Sequence, residues 1–70
     1  MAVSYNRLWK ILIDKNLKKT ELKQLSGISS NVLAKLGKNE PVAVESLEKV
    51  CLSLDCKIED IMEFVSEVDQ

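Results

Sequence analysis

Three polar residues stand together at the start of one short apolar pattern, where they could hydrogen-bond to a ligand. Ser30, Asn31 and Lys35 follow Ser29, and the last two of the three are four residues apart, so a helix would place them on one face. An amide side chain both donates and accepts, an ammonium group donates, and a hydroxyl group takes either role. These residue types at this spacing indicate recognition of a polar surface.

Reactive chemistry has little support in the sequence. The chain contains no histidine, so it offers neither a histidine base nor a histidine-containing zinc site. No paired carboxylates in an apolar pocket, phosphate-binding loop or nucleophile with its base can be identified. We therefore expect no metal, no cofactor and no enzymatic activity.

The two cysteines, Cys51 and Cys56, have two interpretations. Cys51 falls in an apolar helical pattern and Cys56 follows a predicted turn at Asp55. This favours two reduced, mostly buried residues that behave as small hydrophobic side chains. A regulatory disulfide is the alternative.

The length and composition are those of a small globular domain. Seventy residues, 46% hydrophobic and 30% charged, predict one domain over residues 1–70 that folds alone or as a small oligomer. The longest aliphatic run covers residues 11–13, far fewer than the roughly 20 residues of a membrane span, and the N-terminus lacks a signal-peptide pattern. A cytoplasmic location, away from the membrane, is the expectation.

The formal charge of −1 is unevenly distributed along the chain. Residues 7–38 contain eight basic and two acidic residues, whereas residues 39–70 contain two basic and nine acidic residues. The basic stretch can meet phosphate, although a charge run is often only a solvated face. This asymmetry supports a nucleic-acid partner for the first half of the chain.

Apolar residues recur at intervals of three and four along the chain, which predicts helices throughout. The first helix begins after Ser4, its expected N-cap, and fades at Asn16. Its apolar stripe consists of Tyr5, Leu8, Trp9 and Leu12. Trp9 is therefore expected to fill the core rather than to bind a partner.

Glycines end the next two predicted helices. Gly27 ends a short second helix, because glycine adopts the left-handed conformation without a Cβ penalty. Ser29 then caps a third helix, predicted over about residues 29–36, which closes at Gly37. The apolar positions of these two helices are Leu22, Leu25, Leu33 and Leu36.

Two further helices are predicted after the loop at Pro41. The apolar positions of the fourth are Leu47, Val50, Cys51 and Leu54, and those of the short fifth are Ile58, Ile61, Met62 and Val65. No strand is expected, and residues 66–70 should be frayed. The prediction is an all-α fold of five helices with a core over about residues 4–65.

The second and third helices, joined through a glycine turn of three or four residues, match a helix-turn-helix. The second helix of that motif enters the major groove of DNA, which is about 12 Å wide, and reads bases mainly with its N-terminal residues. Ser30, Asn31 and Lys35 occupy that end of the third helix. Leu33 and Leu36 point away from them, toward the expected core.

The segments LKQLSGISSNVLAKLGKNEPV and LEKVCLSLDCKIEDIMEF resemble the Cro and lambda-repressor type of helix-turn-helix domain, also called the XRE family. The resemblance covers about residues 4–65. Its most specific parts are the ending LDCKIEDIMEF and the frame Leu22, Gly27, Ile28, Leu33 and Leu36. It implies a five-helix lambda-repressor-like fold and a sequence-specific double-stranded DNA-binding transcriptional regulator, of repressor type, like the short stand-alone bacterial or phage-derived members.

The resemblance also implies roles for individual side chains. Ser30, Asn31 and Lys35 fall at base-contacting positions, where asparagine can pair with adenine and lysine can donate to guanine or phosphate. The residues that fall near phosphate-contacting positions are Lys19, Thr20, Lys38 and Asn39. The first two of these begin the second helix, and the last two lie in the loop after the third.

Three positions depart from the family pattern. Lys23 stands where a small residue is usual, and its stem can lie along the helix pair. Glu21 would face phosphate unfavourably unless it caps the second helix or pairs with Lys18 or Lys19. Ala43 offers no polar cap to the fourth helix.

A two-fold homodimer is expected, with Val65 and Val68 of the fifth helix as its surface. The alternative function is a protein-interaction module of the same fold, an antitoxin or co-regulator whose acidic half binds a partner protein. A basic surface around Asn31 favours DNA binding, whereas an exposed apolar patch near Val65 and Val68 favours the interaction module or a dimer.

Overall fold

The computed structural model describes residues 2–66, which form four α-helices, one 3₁₀ turn and a two-stranded sheet. In chain order the elements are β1 (Ala2–Ser4), α1 (Asn6–Asp14), α2 (Lys19–Ser26), α3 (Ser30–Gly37), α4 (Val44–Leu54), the 3₁₀ turn (Ile58–Asp60) and β2 (Glu63–Val65). The strands are antiparallel, with Ala2 opposite Val65 and Ser4 opposite Glu63. The two ends of the described chain therefore lie side by side.

The predicted fifth helix is wrong. Its segment forms the 3₁₀ turn, in which the Lys57 N–H donates to Asp60 Oδ2 at 2.9 Å, and then the extended strand β2. The apolar residues spaced three and four apart lie on and just after a single tight turn rather than on a helix. Phe64 and Val65 then take the extended conformation that aromatic and β-branched residues favour. The expectation of no strand is wrong for the same reason, so the fold is mostly helical rather than all-α.

One apolar core joins the helices to the 3₁₀ segment. Its buried side chains are Tyr5, Leu8, Leu12, Leu22, Ile28, Leu36, Leu47, Val50, Leu54 and Ile61. Trp9 and Leu33 are half-buried and pack against this core. Leu25, predicted to be an apolar position of α2, is 58% exposed, so that part of the prediction is wrong.

The ends of the helices follow the expected cap chemistry only in part. α1 begins at Asn6, two residues after Ser4, and the Ser4 hydroxyl still accepts a hydrogen bond from the Asn6 N–H at 3.3 Å. Gly37 is the last residue of α3, and the left-handed residue beyond it is Asn39, with φ of 57°. Ala43 precedes α4 without a side-chain cap, as the sequence indicates.

None of the helices within residues 2–66 is long and apolar enough to cross a membrane. Val68, half of the predicted dimer surface, lies outside the described residues. The same holds for all of the predicted frayed tail except Ser66.

Candidate nucleic-acid interface

The corner between α2 and α3 is held by hydrogen bonds at each of its residues. Gly27 takes a φ of 80°, and its N–H donates to the Lys23 carbonyl at 3.0 Å, which ends α2. The Ser26 hydroxyl donates to the Leu22 carbonyl at 2.7 Å and accepts from the Ile28 N–H at 3.4 Å. A side chain at position 27 would be strained by the positive φ, so the corner depends on glycine.

Ser29 is the N-cap of α3. Its Oγ accepts a hydrogen bond from the Val32 N–H at 3.2 Å, the N-cap contact that the sequence predicts. Ile28, just before the cap, is 4% exposed and ties the turn to the core. The start of α3 is therefore anchored at Ile28, while Ser30 and Asn31 are exposed to solvent.

α3 has one buried face and one exposed face. Leu36 is fully buried, and Val32 and Leu33 are half-buried against the core. Ser30, Asn31 and Lys35, the three predicted base-contacting residues, are all exposed. The structure thus brings these three side chains together on the solvent side of one helix.

The exposed face also contains Ala34, which sequence reasoning missed. Ala34 lies three residues after Asn31 and four after Ser30, so its methyl group occupies the middle of the polar stripe. A small apolar contact in a DNA-reading surface suits the methyl group of thymine. The helical spacing from Ser30 and Asn31 was the signal that could have identified it.

The start of α2 presents the first two predicted phosphate-contacting residues. Lys19 and Thr20 are exposed in the first turn. Glu21, which would oppose a phosphate, accepts a hydrogen bond from the Lys18 N–H through Oε1 at 2.8 Å. Glu21 therefore caps α2, which is one of the two roles expected for it from the sequence, the other being a pair with Lys18 or Lys19.

The loop after α3 holds the other two predicted phosphate-contacting residues, in different environments. Lys38 is exposed at the end of the helix. Asn39 has a structural contact, because its Oδ1 accepts a hydrogen bond from the Tyr5 N–H at 3.0 Å. In a phosphate contact, Asn39 would therefore donate through its side-chain amide nitrogen.

Arg7, the first basic residue of the basic stretch, contacts acidic residues from the second half of the chain. Its guanidinium donates to the Glu59 carbonyl at 3.0 Å and pairs with Glu63 Oε1 at 3.2 Å. Both side chains of this ion pair are partly exposed, so it contributes little to stability. At Arg7 the positive charge of the basic stretch is therefore paired with a carboxylate.

Two other kinds of chemical group could support reactive chemistry within the described residues, namely metal ligands and reactive thiols. Within residues 2–66, no cluster of three metal-ligating side chains is present. Cys51 and Cys56 are free and half-buried. Burial raises the pKa of the Cys56 thiol to about 11 and raises the pKa of the Cys51 thiol above its usual value, so both thiols are weakly nucleophilic at neutral pH.

Comparisons with known proteins agree with this geometry. A family model described as the Cro/C1-type helix-turn-helix DNA-binding domain matches residues 7–67. The chain belongs to this family. The crystal structure of the transcriptional regulator VanUg, Form II, is similar to this Cro/C1-type domain, with a TM-score of 0.90 and 48% sequence identity. That match covers 94% of this chain and 88% of the other. A comparison with curated proteins found no match.

The frame residues that suggested the family lie in the core or at the corner between α2 and α3. Leu22, Ile28 and Leu36 are buried, Leu33 is half-buried, and Gly27 has a positive φ. The family is a DNA-binding domain rather than a class of enzymes. The resemblance inferred from the sequence is confirmed, apart from the number of helices.

Proposed function

We propose that this Cro/C1-type domain is a sequence-specific, double-stranded DNA-binding transcriptional regulator that acts as a repressor. The observation that carries the proposal is the division of α3, with Leu36 fully buried and Ser30, Asn31 and Lys35 exposed on the opposite side. A helix that is anchored on one face and polar on the other fits the major groove of DNA, which is about 12 Å wide.

Four exposed residues of α3 have defined roles in this proposal. Asn31 pairs with an adenine through its amide, and Lys35 donates to a guanine. Ser30 donates to or accepts from a neighbouring base edge. Ala34 contacts a thymine methyl group between them.

The phosphate contacts flank this reading surface. Lys19 and Thr20 at the start of α2 bind the backbone on one side of the groove, and Lys38 and Asn39 bind it on the other. All four are exposed in the structure. Phosphate contacts of this kind set the orientation and most of the sequence-independent affinity.

The proposed active form is a homodimer with two-fold symmetry. One copy of α3 makes few contacts with DNA. A dimer places two copies of α3 on two half-sites about 34 Å apart, one turn of DNA, and so doubles the number of contacts. Phe64 and Val65 of β2 are 64% and 38% exposed, and they replace the predicted fifth helix as the proposed dimer surface. We place the protein in the cytoplasm, as one domain over residues 1–70.

A protein-interaction module is the second candidate, and an apolar groove favours it. The groove lies between the sheet and α4, and its walls include Val3, Val44, Leu47 and Phe64. Glu48 stands among the lining residues, and Val44 is 77% exposed. Such a surface fits another protein as readily as a second copy.

The deciding experiment begins with selection of binding sites from random duplex DNA by the wild-type protein. Asn31→Ala and Lys35→Ala are then titrated against the selected site and against a random duplex. We expect each variant to lose roughly 1–3 kcal/mol on the selected site and much less on the random duplex, because a lost base contact removes discrimination.

Two controls accompany these titrations. Lys49→Ala removes an exposed lysine from α4, outside the proposed interface, and should leave both affinities unchanged. Melting curves should show stability within about 0.5 kcal/mol of wild type for all three variants, because their side chains are exposed. Equal losses on both duplexes would reassign Asn31 and Lys35 to backbone contacts. A folded wild type that binds no DNA would favour the interaction module.

A further inference from the structure

An aromatic ring and a lysine meet at the start of α2. The Nζ atom of Lys19 lies 4.4 Å from the centroid of the Trp9 ring. This separation is well inside the range of about 6 Å over which an ammonium group is attracted to the face of an indole. Trp9 is the only tryptophan of the chain.

The two partners differ in how firmly they are held. Trp9 lies within α1, is half-buried and packs against the core, so packing restricts the motion of its ring. Lys19 is exposed, at the first position of α2. The indole also forms one wall of a surface hollow that Lys19 and Thr20 line, next to the proposed phosphate contacts.

We propose that Trp9 is a positioning residue for DNA binding, which holds the Lys19 ammonium group where a backbone phosphate will meet it. This inference rests on the proposed function and deepens it. The ring contacts one side of the ammonium group, and the N–H bonds that point away from the ring remain to donate to phosphate oxygens.

The physical advantage is preorganisation. A lysine side chain has many rotamers, and ordering it at an interface opposes binding. Contact with Trp9 restricts Lys19 before DNA arrives, so less freedom is lost on association. Glu21, two residues along, is engaged by the Lys18 N–H at 2.8 Å, so its carboxylate is directed to the helix end.

The test is a double-mutant cycle on DNA affinity with Trp9→Leu, Lys19→Met and the double variant. Lys19→Met keeps most of the side-chain volume and removes the charge. We expect Trp9→Leu to weaken binding to selected and random duplex alike, by roughly two- to fivefold, the effect of an exposed cation–π contact. In the Lys19→Met background, Trp9→Leu should cause no further loss.

The salt dependence separates positioning from loss of charge. Lys19→Met should reduce the slope of log affinity against log salt concentration by about 1, since one phosphate contact is lost. Trp9→Leu should leave that slope unchanged, because the lysine and its phosphate contact remain. Trp9→Phe keeps an aromatic face and should restore most of the affinity.

A measurement without DNA covers the case in which Trp9→Leu folds poorly. In proton NMR spectra, the Lys19 ε-methylene resonances of wild type should be shifted upfield by the indole ring, and Trp9→Phe should retain part of that shift. Absence of the shift in wild type overturns the proposal. So does an equal effect of Trp9→Leu with and without the Lys19 charge. If the wild type binds no duplex at all, the proposed function fails together with this inference, whereas DNA binding that is insensitive to Trp9→Leu removes the inference alone.

Discussion

Asn39 and Tyr5, 34 residues apart, are joined by a hydrogen bond in which the Tyr5 N–H donates to Asn39 Oδ1 at 3.0 Å. The Tyr5 hydroxyl donates to the carbonyl of the next residue in the same loop, Glu40, at 2.9 Å. Tyr5 is thus fixed at its backbone and at the tip of its ring by the loop that follows α3. The position of α3 therefore depends on the start of α1.

Asn39→Ala should lower the free energy of unfolding by about 2 kcal/mol, because it removes this hydrogen bond and places alanine in the left-handed region. Asn39→Gly loses only the hydrogen bond, so its cost should be about 1 kcal/mol. Chemical denaturation measures both. Asn16→Ala, at a φ of 58°, is the control for the backbone cost alone. An Asn39→Gly variant less stable than Asn39→Ala would contradict this account.

Tyr5→Phe should cost about 1 kcal/mol at neutral pH and should also flatten the loss of stability at alkaline pH. Burial raises the pKa of the Tyr5 phenol above its usual 10.0. The folded state therefore keeps this proton where the unfolded state has lost it. The contribution is complete below pH 10.0 and is lost as pH rises through the raised pKa. Unfolding curves of both proteins from pH 8 to about pH 11 test the difference, and parallel curves would contradict it.

The cysteines should react slowly with iodoacetamide in the folded protein. Burial raises the pKa of Cys56 from 9.0 to about 11, which lowers its thiolate fraction at pH 7 about 100-fold. Because a thiolate of higher pKa is also the stronger nucleophile, alkylation should be about tenfold slower than in urea-unfolded protein. Mass spectrometry of timed samples measures the rate. Equal rates in folded and unfolded protein would show that the thiol is not protected.

The raised pKa of Cys56 also gives stability that is present below pH 9.0 and is lost toward pH 11. Cys56→Ala should remove this pH-dependent part of the stability.

DNA binding should weaken as salt concentration rises, despite the acidic sequence pI of about 5.3, because affinity depends on local contacts with phosphate. Lys38→Ala should reduce affinity for selected and random duplex alike and should lower the salt slope by about 1. Arg7→Ala is the matched control. Arg7 is paired with Glu63, so we expect an unchanged slope. An affinity that stays constant between low and physiological salt would remove the proposed phosphate contacts.

Phe64→Glu should convert the proposed dimer to a monomer at micromolar concentration, since it places a charge on the exposed side of β2. Sedimentation with and without a two-half-site duplex measures the change. Affinity for a single half-site should be retained. Leu52→Glu introduces the same charge at an apolar side chain of α4 that is 75% exposed, and should leave the dimer intact. A wild type that is strictly monomeric, even on its site, would rule the dimer out.

The sequence predicted local features well because their causes are local. The glycine that ends α2, the Ser29 cap and the buried Leu36 follow from residues within a few positions of one another. The base-contacting and phosphate-contacting assignments stay predictions, although the exposure of Ser30, Asn31 and Lys35 is as expected.

The missed features depend on contacts between distant residues. β2 is a strand because Ala2–Ser4 lies beside it, and no pattern within residues 58–65 reveals that neighbour. In the same way, the place of Asn39 in the loop predicts a phosphate contact, yet its Oδ1 accepts a hydrogen bond from the Tyr5 N–H. Arg7 counts as part of a basic stretch along the chain, but its partners are Glu59 and Glu63.

The pairing of β1 with β2 has a consequence for the order of folding. Ala2 and Val65 can meet only after the intervening chain has been shortened by its helices, because closing a long flexible loop costs conformational entropy. The helix-turn-helix corner, built from neighbouring residues, needs no such closure. A two-stranded sheet has little stability by itself, so we expect β2 to join last and to open first in hydrogen exchange. The proposed dimer surface at Phe64 and Val65 would then form only after the rest of the molecule has folded.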